Sequence, residues 1–274
     1  GYSIIGSGAS SGIALVDSLG WALGKNEERI LVVKGVISGI DINSDNGADS
    51  GASLYSAIMS SGFEAVGSTA LDTTITAATS TQKVVVRGRP TVTWEERPSP
   101  LMSLNPVVAR FRVAAGATAV AFKTFSLKVE PTGATMTAVT TSNVTVYNIT
   151  KDATTALTLA TVVSGSGTAS TGTAAIVGGN TGYVTITLAG AEEIAIGSSN
   201  QFDVRLTFNT LSTSPNAKVA VSFSLPETTA AGANATITTV LGATTAPDGN
   251  PAFAWSDFAD ISHSESTTDW HSGF

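Results

Sequence analysis

Apolar and polar residues alternate along several short segments of the chain, and this period of two predicts β-strands rather than helices. The two clearest segments are residues 202–208 and 219–225. In each, every second residue is apolar and the residues between are polar or small, as in a strand with one buried and one wet face. Residues 107–113 follow the same pattern, with Arg110 and Arg112 on the face opposite the apolar residues.

The segment 120–129 also alternates, but its phase changes part of the way along. Its first apolar residues, Val120 and Phe122, are at even-numbered positions. The later ones, Phe125, Leu127 and Val129, are at odd-numbered positions. A slip of one residue would move every following side chain to the opposite face. One extra residue restores a common buried face, so the pattern predicts a β-bulge near Lys123 and Thr124.

Further strand candidates lie at 144–147, 157–163, 183–188 and 194–196, with Gly, Ser, Asn and Pro between them. Strands that recur roughly every 10 residues with such breaks are typical of a β-sandwich or a jelly roll. The spacing of a parallel α/β sheet, in which strands alternate with helices, is not seen. The sequence therefore predicts an all-β protein, an antiparallel β-sandwich of Ig-like or jelly-roll-like type.

Threonine divides the chain into two parts. It is absent from residues 1–68 and occurs 39 times from Thr69 to Thr268. Because Thr is β-branched and favours strands, the Thr-rich part corresponds to the all-β body. We predict an N-terminal arm or partial β unit over residues 1–70, a Thr/Ala linker over 71–82 and the β-sandwich domain over 83–274.

Composition narrows the functional class. Of the 274 residues only 13% are charged, and abundant Ala, Gly, Ser and Thr are typical of secreted structural proteins. The net charge of −7, without a basic stripe, disfavours a nucleic-acid partner. No apolar run approaches the ~20 residues of a membrane helix. The absence of Cys excludes disulfides, thiolate catalysis and Cys-based metal sites, and a start at Gly1 rather than Met indicates a processed or truncated end.

Charge is distributed unevenly along the chain. Residues 153–191 contain no charged residue, whereas edge strands usually carry Lys, Pro or inward charges that prevent pairing. This stretch is suited to pairing with another chain, or is a neutral surface hairpin of a monomer. No Lys or Arg follows Lys218, and the acids beyond it are Glu227, Asp248, Asp257, Asp260, Glu265 and Asp269. The acidic end is a solvated surface, or it meets cations or a basic partner.

Several short motifs in residues 83–274 resemble one family. They are VVVRGRPTV at 84–92, ARFRVAA at 109–115, FKTF at 122–125, FAWSD at 253–257, SHS at 262–264, DW at 269–270 and GF at 273–274. Together they resemble secreted, Ig-like β-sandwich surface proteins of candidate-phyla bacteria, although His271 and Ser272 replace the more usual polar pair. The resemblance implies a structural or adhesive role at the cell surface, with Trp255 and Trp270 as anchors of a structural tail strand. Residues 1–68 carry no such motif and are interpreted as a remnant of a preceding domain.

Residues 41–49 resemble an oxygen-rich calcium loop. Asp41, Asn43, Asp45 and Asp49 supply carboxylate and amide oxygens at alternate positions, which suits one hard cation. Ala52 stands where a bidentate Glu is expected. The alternative is a surface turn rich in Asp and Asn. Calcium is the only cofactor that the sequence suggests.

A second candidate is the tail, whose acids and imidazoles are His263, Glu265, Asp269 and His271, with Asp257 and Asp260 nearby. They suggest either a metal or acid/base cluster or, on the family resemblance, a purely structural strand. No HExxH spacing is present, and both His lie in the last twelve residues, so a Ser/His/Asp triad cannot be argued.

Three sequons and one Gly-rich segment complete the motifs. Asn143, Asn148 and Asn234 each begin an Asn-X-Thr sequence and are candidate N-glycosylation sites, although such matches arise by chance in a Thr-rich chain. Residues 6–12 look like a phosphate loop, but they lack Lys and a strand–helix context, so a flexible leader is favoured.

These observations favour an extracellular, cell-surface structural protein that is not an enzyme: a subunit of a filament, pilus or surface layer. Its partner would be itself, with the apolar strip that contains Tyr2, Ile4 and Ile5 acting as a donor strand for a neighbour's sheet. The alternative is an adhesin or carbohydrate-binding module that binds glycans or other cell-surface proteins, with Trp94, Trp255 and Trp270 as a sugar platform. A β-sandwich hydrolase is disfavoured because the acid/base inventory is thin.

Overall fold

The structure is a computed structural model, and it divides into two compact units, Gly1–Val86 and Arg87–Phe274. The residues it describes are 2–8, 11–16, 22, 24–28, 30, 40, 50–51, 53–54, 57–58, 65–66, 71–72, 78–79, 83–99, 103–166, 175–212, 217–223, 253–264, 267 and 269–272. Within these ranges all regular secondary structure is β-strand, and every strand pair is antiparallel. This confirms the predicted all-β, antiparallel class.

The first unit is built from short paired strands. Its strands are β1 (Tyr2–Gly8), β2 (Ser11–Val16), β3 (Ser53–Leu54), β4 (Ala57–Ile58), β5 (Ala65–Val66), β6 (Leu71–Asp72), β7 (Ala78–Thr79) and β8 (Lys83–Val84). β1 and β2 form a two-stranded sheet, with a register shift between Ile5 and Ser7. The other pairs are β3 with β8, β4 with β7 and β5 with β6. Along the chain, each of these pairs therefore encloses the next one.

The segment 71–82, for which we expected a linker, contains β6 and β7, and each pairs with an earlier strand of the first unit. Lys83, the expected start of the sandwich, lies in β8 and pairs with Leu54.

The second unit contains two larger sheets. Its strands are β9 (Thr91–Trp94), β10 (Val107–Ala114), β11 (Val120–Thr132), β12 (Ala134–Thr135), β13 (Val144–Asn148), β14 (Leu159–Ser166), β15 (Gly182–Ile194), β16 (Ser199–Leu206), β17 (Thr210–Leu211), β18 (Lys218–Phe223), β19 (Phe253–Ser256) and β20 (Trp270–Ser272). The four-stranded sheet has the order β13-β16-β10-β9, and β12 pairs separately with β17. The six-stranded sheet has the order β14-β15-β11-β19-β20. Its sixth strand, β18, pairs with the second half of β11, beside the first half that pairs with β19.

A group of phenylalanines joins the two sheets. Phe111 and Phe202, from adjacent strands of the four-stranded sheet, have ring centroids 5.4 Å apart. Phe122 and Phe125 of β11 approach Phe111 edge to face, at 6.4 and 5.4 Å. All four side chains are fully buried. Because they come from both sheets, the two inner faces share one core, and the second unit is a β-sandwich.

The predicted bulge in β11 is confirmed. Against β19, Phe122 pairs with Trp255 and Thr124 with Ala254, so Lys123 is the extra residue of β11. The pairing with β15 shifts at the same place, but there the additional residues, 188–191, belong to β15. With Lys123 inserted, Phe122 and Phe125 are both fully buried although their positions differ in parity. The inserted residue therefore reconciles the two phases of the sequence with one core.

The other alternating segments behave as predicted, with two informative exceptions. In β18 the apolar residues are buried or half-buried and the residues between are exposed. Asp203 of β16 is buried although it lies on the outer face, because Arg110 of the neighbouring strand covers and pairs with it. The predicted strand at 194–196 is wrong: β15 ends at Ile194, a turn follows, and Ile196 is 65% exposed.

Gly88 lies against Thr118 with no room for a side chain. A Cβ at residue 88 would stand 1.6 Å from Thr118 Oγ1 and 2.9 Å from Thr118 Cβ. We expect Gly88→Ala to lower the free energy of unfolding by about 1–3 kcal/mol, the usual cost of overpacking, in urea denaturation. Gly116→Ala is the matched control, because nothing lies within 4 Å of a Cβ there. In a Thr118→Gly background the Gly88→Ala change should cost much less, and an undiminished cost would refute the steric explanation.

Candidate functional site

The tail of the chain folds over one face of the six-stranded sheet. Phe253 points into the core, so its neighbour Ala254 lies on the opposite face. There Ala254, Ala121 and Trp270 form a small buried cluster, against which Phe258 packs. Trp270 Nε1 donates to the carbonyl oxygen of Ser264 at 2.8 Å, which satisfies the buried indole.

Asp269 is the centre of a buried polar network in this tail. Its carboxylate is fully buried, and Oδ2 accepts hydrogen bonds from Ser256 Oγ and His263 Nδ1, both at 2.7 Å. Thr267 Oγ1 donates to Oδ1 at 2.5 Å. A carboxylate can be buried only when such bonds replace its water. The network ties β19 to the turn that precedes β20.

Asp257 forms a second network, which fixes the start of the sandwich unit. It is fully buried, and its Oδ2 accepts from the backbone N–H of Arg87 at 2.8 Å. The other oxygen, Oδ1, accepts from Ala259 N at 3.3 Å and lies 3.5 Å from His271 Nε2. The Arg87 guanidinium also donates, through Nη1, to the carbonyl of Phe258 at 2.5 Å.

Ser256, His263 and Asp269 bring together the three residue types of a hydrolytic triad, but their geometry differs from one. In a triad the hydroxyl and the carboxylate engage opposite nitrogens of the imidazole ring. Here Asp269 Oδ2 and Ser256 Oγ both lie at Nδ1, at 2.7 and 3.3 Å. Ser256 is also fully buried and donates directly to the carboxylate. The arrangement holds a turn in place and does not activate Ser256 as a nucleophile.

The tail residues that we weighed as a metal or acid/base cluster separate into these two networks. The pairs are His263 with Asp269, and His271 with Asp257. Asp260 accepts from Ser262 N at 2.8 Å within a turn, and Glu265 lies outside the described residues. In the part of the chain that the structure describes, no three His, Asp or Glu side chains converge as metal ligands.

Several other predicted sites lie outside the described residues. They are the calcium candidates Asp41, Asn43, Asp45 and Asp49, and the sequon at Asn234. These stay predictions of the sequence.

The sequon at Asn148 is engaged by the fold. Asn148 is 2% exposed, and its Nδ2, the atom to which a glycan would be attached, donates to Glu192 Oε2 at 2.8 Å. Its Oδ1 accepts from the backbone of Lys151, whose Nζ also reaches Glu192. A glycan on Nδ2 is therefore incompatible with this packing. Asn143 is half-buried before β13, with Oδ1 accepting from Thr140, and stays a predicted acceptor.

The three tryptophans proposed as a sugar platform do not share one exposed surface. Trp255 and Trp270 are 3% and 2% exposed, whereas Trp94, on β9, is 43% exposed. Trp94 packs against Phe223 with the ring centroids 4.9 Å apart. Trp255 and Trp270 are therefore part of the buried interior, and the anchoring role that the resemblance implies for them stays a prediction.

Charged residues on the outer face of the four-stranded sheet contact neighbouring side chains of the same face. Arg110 and Asp203, opposite each other on β10 and β16, form a two-point ion pair of 2.6 and 2.7 Å. The hydrogen bonds that Arg110 donates to the Asp203 carboxylate raise the pKa of Arg110, which is charged at every ordinary pH. Arg112 pairs with Glu95 at 2.7 Å, and Arg205 lies over the ring of Tyr147. This face is therefore stabilised by its own charge pairs.

The proposed donor residues Tyr2, Ile4 and Ile5 lie in β1, where they pair with Val16, Ala14 and Ile13 of β2. The candidate donor is therefore a hairpin rather than a single strand. The apolar strip at the start of the chain was predicted, but its pairing with β2 was not. The only signal for that pairing in the sequence is the group of apolar residues at 13–16.

The charge-free stretch 153–191 supplies the edge of the larger sheet. β14 ends the strand order of that sheet and pairs antiparallel with β15 from Leu159 to Ser166. Ala160 and Thr161 are exposed, whereas Val162 and Ser164 face the core. An uncharged strand of eight residues thus stands at the end of the sheet.

No helix in the described residues is long and apolar enough to span a membrane. Comparison with protein-family models, with curated proteins and with solved structures finds no match for this chain.

Proposed function

We propose that this protein is an extracellular structural subunit that assembles with copies of itself, in a filament, pilus or surface layer, by β-strand addition. The observation that supports this most directly is the β1–β2 hairpin: among the described residues, β1 and β2 pair only with each other. A two-stranded hairpin by itself is marginally stable in water, so joining a larger sheet would stabilise it. Residues 1–16 carry no charge, which removes the usual protection against such pairing.

The second unit supports the same proposal through what its polar residues do. The buried acids Asp203, Asp257 and Asp269 each accept hydrogen bonds that join strands and turns. Satisfied polar networks of this kind make a core rigid, as a structural subunit requires. The low charge of the chain and the resemblance of residues 83–274 to secreted surface proteins support a location at the cell surface.

Deletion of residues 1–16 from the recombinant chain is expected to abolish concentration-dependent assembly. Negative-stain microscopy and light scattering after size exclusion measure the size of the particles, and a urea titration checks that the remaining chain is folded. A synthetic peptide of residues 1–16, added in excess to the full chain, should shorten the polymers, whereas a scrambled peptide should not.

Two outcomes would contradict the proposal at different levels. A full-length chain that stays monomeric at all concentrations overturns the structural-subunit function. Assembly that is unchanged by the deletion and by the peptide leaves a self-assembling subunit but removes the hairpin from its mechanism.

A further inference from the structure

We propose that the outer edge of β14 is the acceptor, and that the strand added to it is β1 of a second copy of this chain. This inference rests on the proposed function and names the surface at which the addition occurs. The edge strands of the two larger sheets differ in how well they are protected against pairing with another strand.

The edge at β13 of the four-stranded sheet is closed by the chain itself. Leu157 N donates to Val146 O at 2.7 Å, and Ala156 forms an isolated bridge with Tyr147. The turn that brings this segment back is held by Asp152, whose carboxylate accepts from Thr154 N at 2.7 Å. Residues 156 and 157 therefore occupy the outer edge of β13 at Val146 and Tyr147.

The opposite edge, β9, is protected in another way. The strand has four residues, begins directly after Pro90 and is followed by Glu95, Glu96, Arg97 and Pro98. Proline lacks the N–H that a ladder requires, and a block of charges opposes the approach of another strand. Both devices are common on natural edge strands and act against pairing.

The remaining edges of the larger sheet are short or charged, except one. β20 has three residues, and β18 has six and begins with Lys218. β14 has eight residues, LATVVSGS, with no charge and no Pro. Among the edges of the two larger sheets, as far as the structure describes them, β14 is thus the one that is long, uncharged and not closed by a described segment.

The β1 strand matches this edge in length and charge. It has seven residues, none of them charged, and β14 likewise adds no charge, so neither electrostatic repulsion nor a buried ion opposes their contact. Addition of the hairpin would extend the six-stranded sheet by two strands and satisfy the outer backbone groups of β14. A β14–β14 contact between copies would instead close on itself as a dimer. A contact between two different surfaces repeats from copy to copy, which a filament requires.

Disulfide trapping tests the contact directly, because the chain contains no Cys. Single variants Ser3→Cys and Ile5→Cys on β1 are each mixed with Thr161→Cys or Val163→Cys on β14, assembled and oxidised. Cross-strand neighbours lie about 4.5–5.5 Å apart, within the range that a disulfide spans. At least one mixture should yield a covalent dimer on a non-reducing gel. Thr93→Cys, on the protected edge β9, is the matched control and should yield none.

Two results of the trapping experiment would overturn the inference. Thr161→Cys or Val163→Cys alone giving the covalent dimer indicates a β14–β14 contact, and capture by Thr93→Cys indicates that β9 is the acceptor. Failure of all four mixtures, with polymers present, also rejects the β1–β14 contact.

A charge on the acceptor edge provides an independent measurement. Thr161→Lys places a charge at an exposed position of β14, so it should leave the urea midpoint unchanged and shift the chain from polymer to monomer. Thr93→Lys, the matched change on β9, should leave assembly intact. If assembly requires residues 1–16 but tolerates Thr161→Lys, the proposed function stands and the acceptor lies elsewhere. If the unmodified chain does not assemble, the proposed function itself fails.

Discussion

Replacement of Phe111 by alanine is expected to lower the free energy of unfolding by about 3–5 kcal/mol. Phe111 is fully buried, and its ring lies between 5.2 and 6.4 Å from four other phenylalanine rings of the two sheets. Its strand, β10, is paired on both edges and cannot move to fill the space. The loss therefore combines transfer of the ring to water with a cavity at the centre of the sandwich. Urea denaturation followed by tryptophan fluorescence measures it.

Trp94 provides the matched control for Phe111. The two residues are opposite each other on β9 and β10, but Trp94 is 43% exposed. Trp94→Ala should cost about 1 kcal/mol, the typical effect of a substitution outside the core. Phe111→Leu, which keeps most of the volume, should fall between the two and remains measurable if the alanine variant does not fold. Equal losses for Phe111→Ala and Trp94→Ala would contradict the placement of the core.

The second large effect is expected for Asp269→Ala, with a loss of about 3 kcal/mol. The substitution removes the common acceptor of Ser256, His263 and Thr267 from a fully buried position, and Thr267 then keeps only its bond to the carbonyl of Ser264. Because Asp269 directly precedes β20, which carries Trp270, the tail should detach from the sheet before the rest unfolds. The emission of the buried Trp270 should then shift to longer wavelength at a lower urea concentration.

Asp260→Ala is the control in the same segment. Asp260 is half-buried and accepts one bond, from Ser262 N, so its loss should cost about 1 kcal/mol. A larger effect for Asp260 than for Asp269 would show that the turn, and not the buried carboxylate, holds the tail.

Local pattern predicted most of the strands of the sandwich, because the period of two is a property of neighbouring residues. β10, β13, β16 and β18 lie where alternation placed them, and the phase change of residues 120–129 located the bulge at Lys123. The prediction of a strand at 194–196 failed because the apolar pattern there is short: Ile194 and Ile196 share a parity but lie on either side of the end of β15.

The polar contacts could not be predicted in the same way. Alternation placed Arg110 and Asp203 on outer faces, but their pairing depends on which strands become neighbours, β10 and β16, far apart in the chain. Ser256 and Thr267 give no signal among so many Ser and Thr, although both are bound to Asp269. The sequon at Asn148 appears open in the sequence and is engaged by Glu192, from a strand of the other sheet.

The sequence by itself determined the class of the protein: strands of period two, a shared apolar face, a charge-free stretch and an apolar, uncharged N-terminal strip. These features depend on each residue and its near neighbours, so they can be recognised before folding. Only the tertiary structure decided which strand became an edge, since that depends on the order of strands in the sheet. It left β14 at the end of the larger sheet, covered the edge of β13 with residues 156–157 and enclosed Asp257 and Asp269 in hydrogen bonds. Burial and the pairing of distant backbone groups are long-range effects, and for this reason the sequence alone could not assign them.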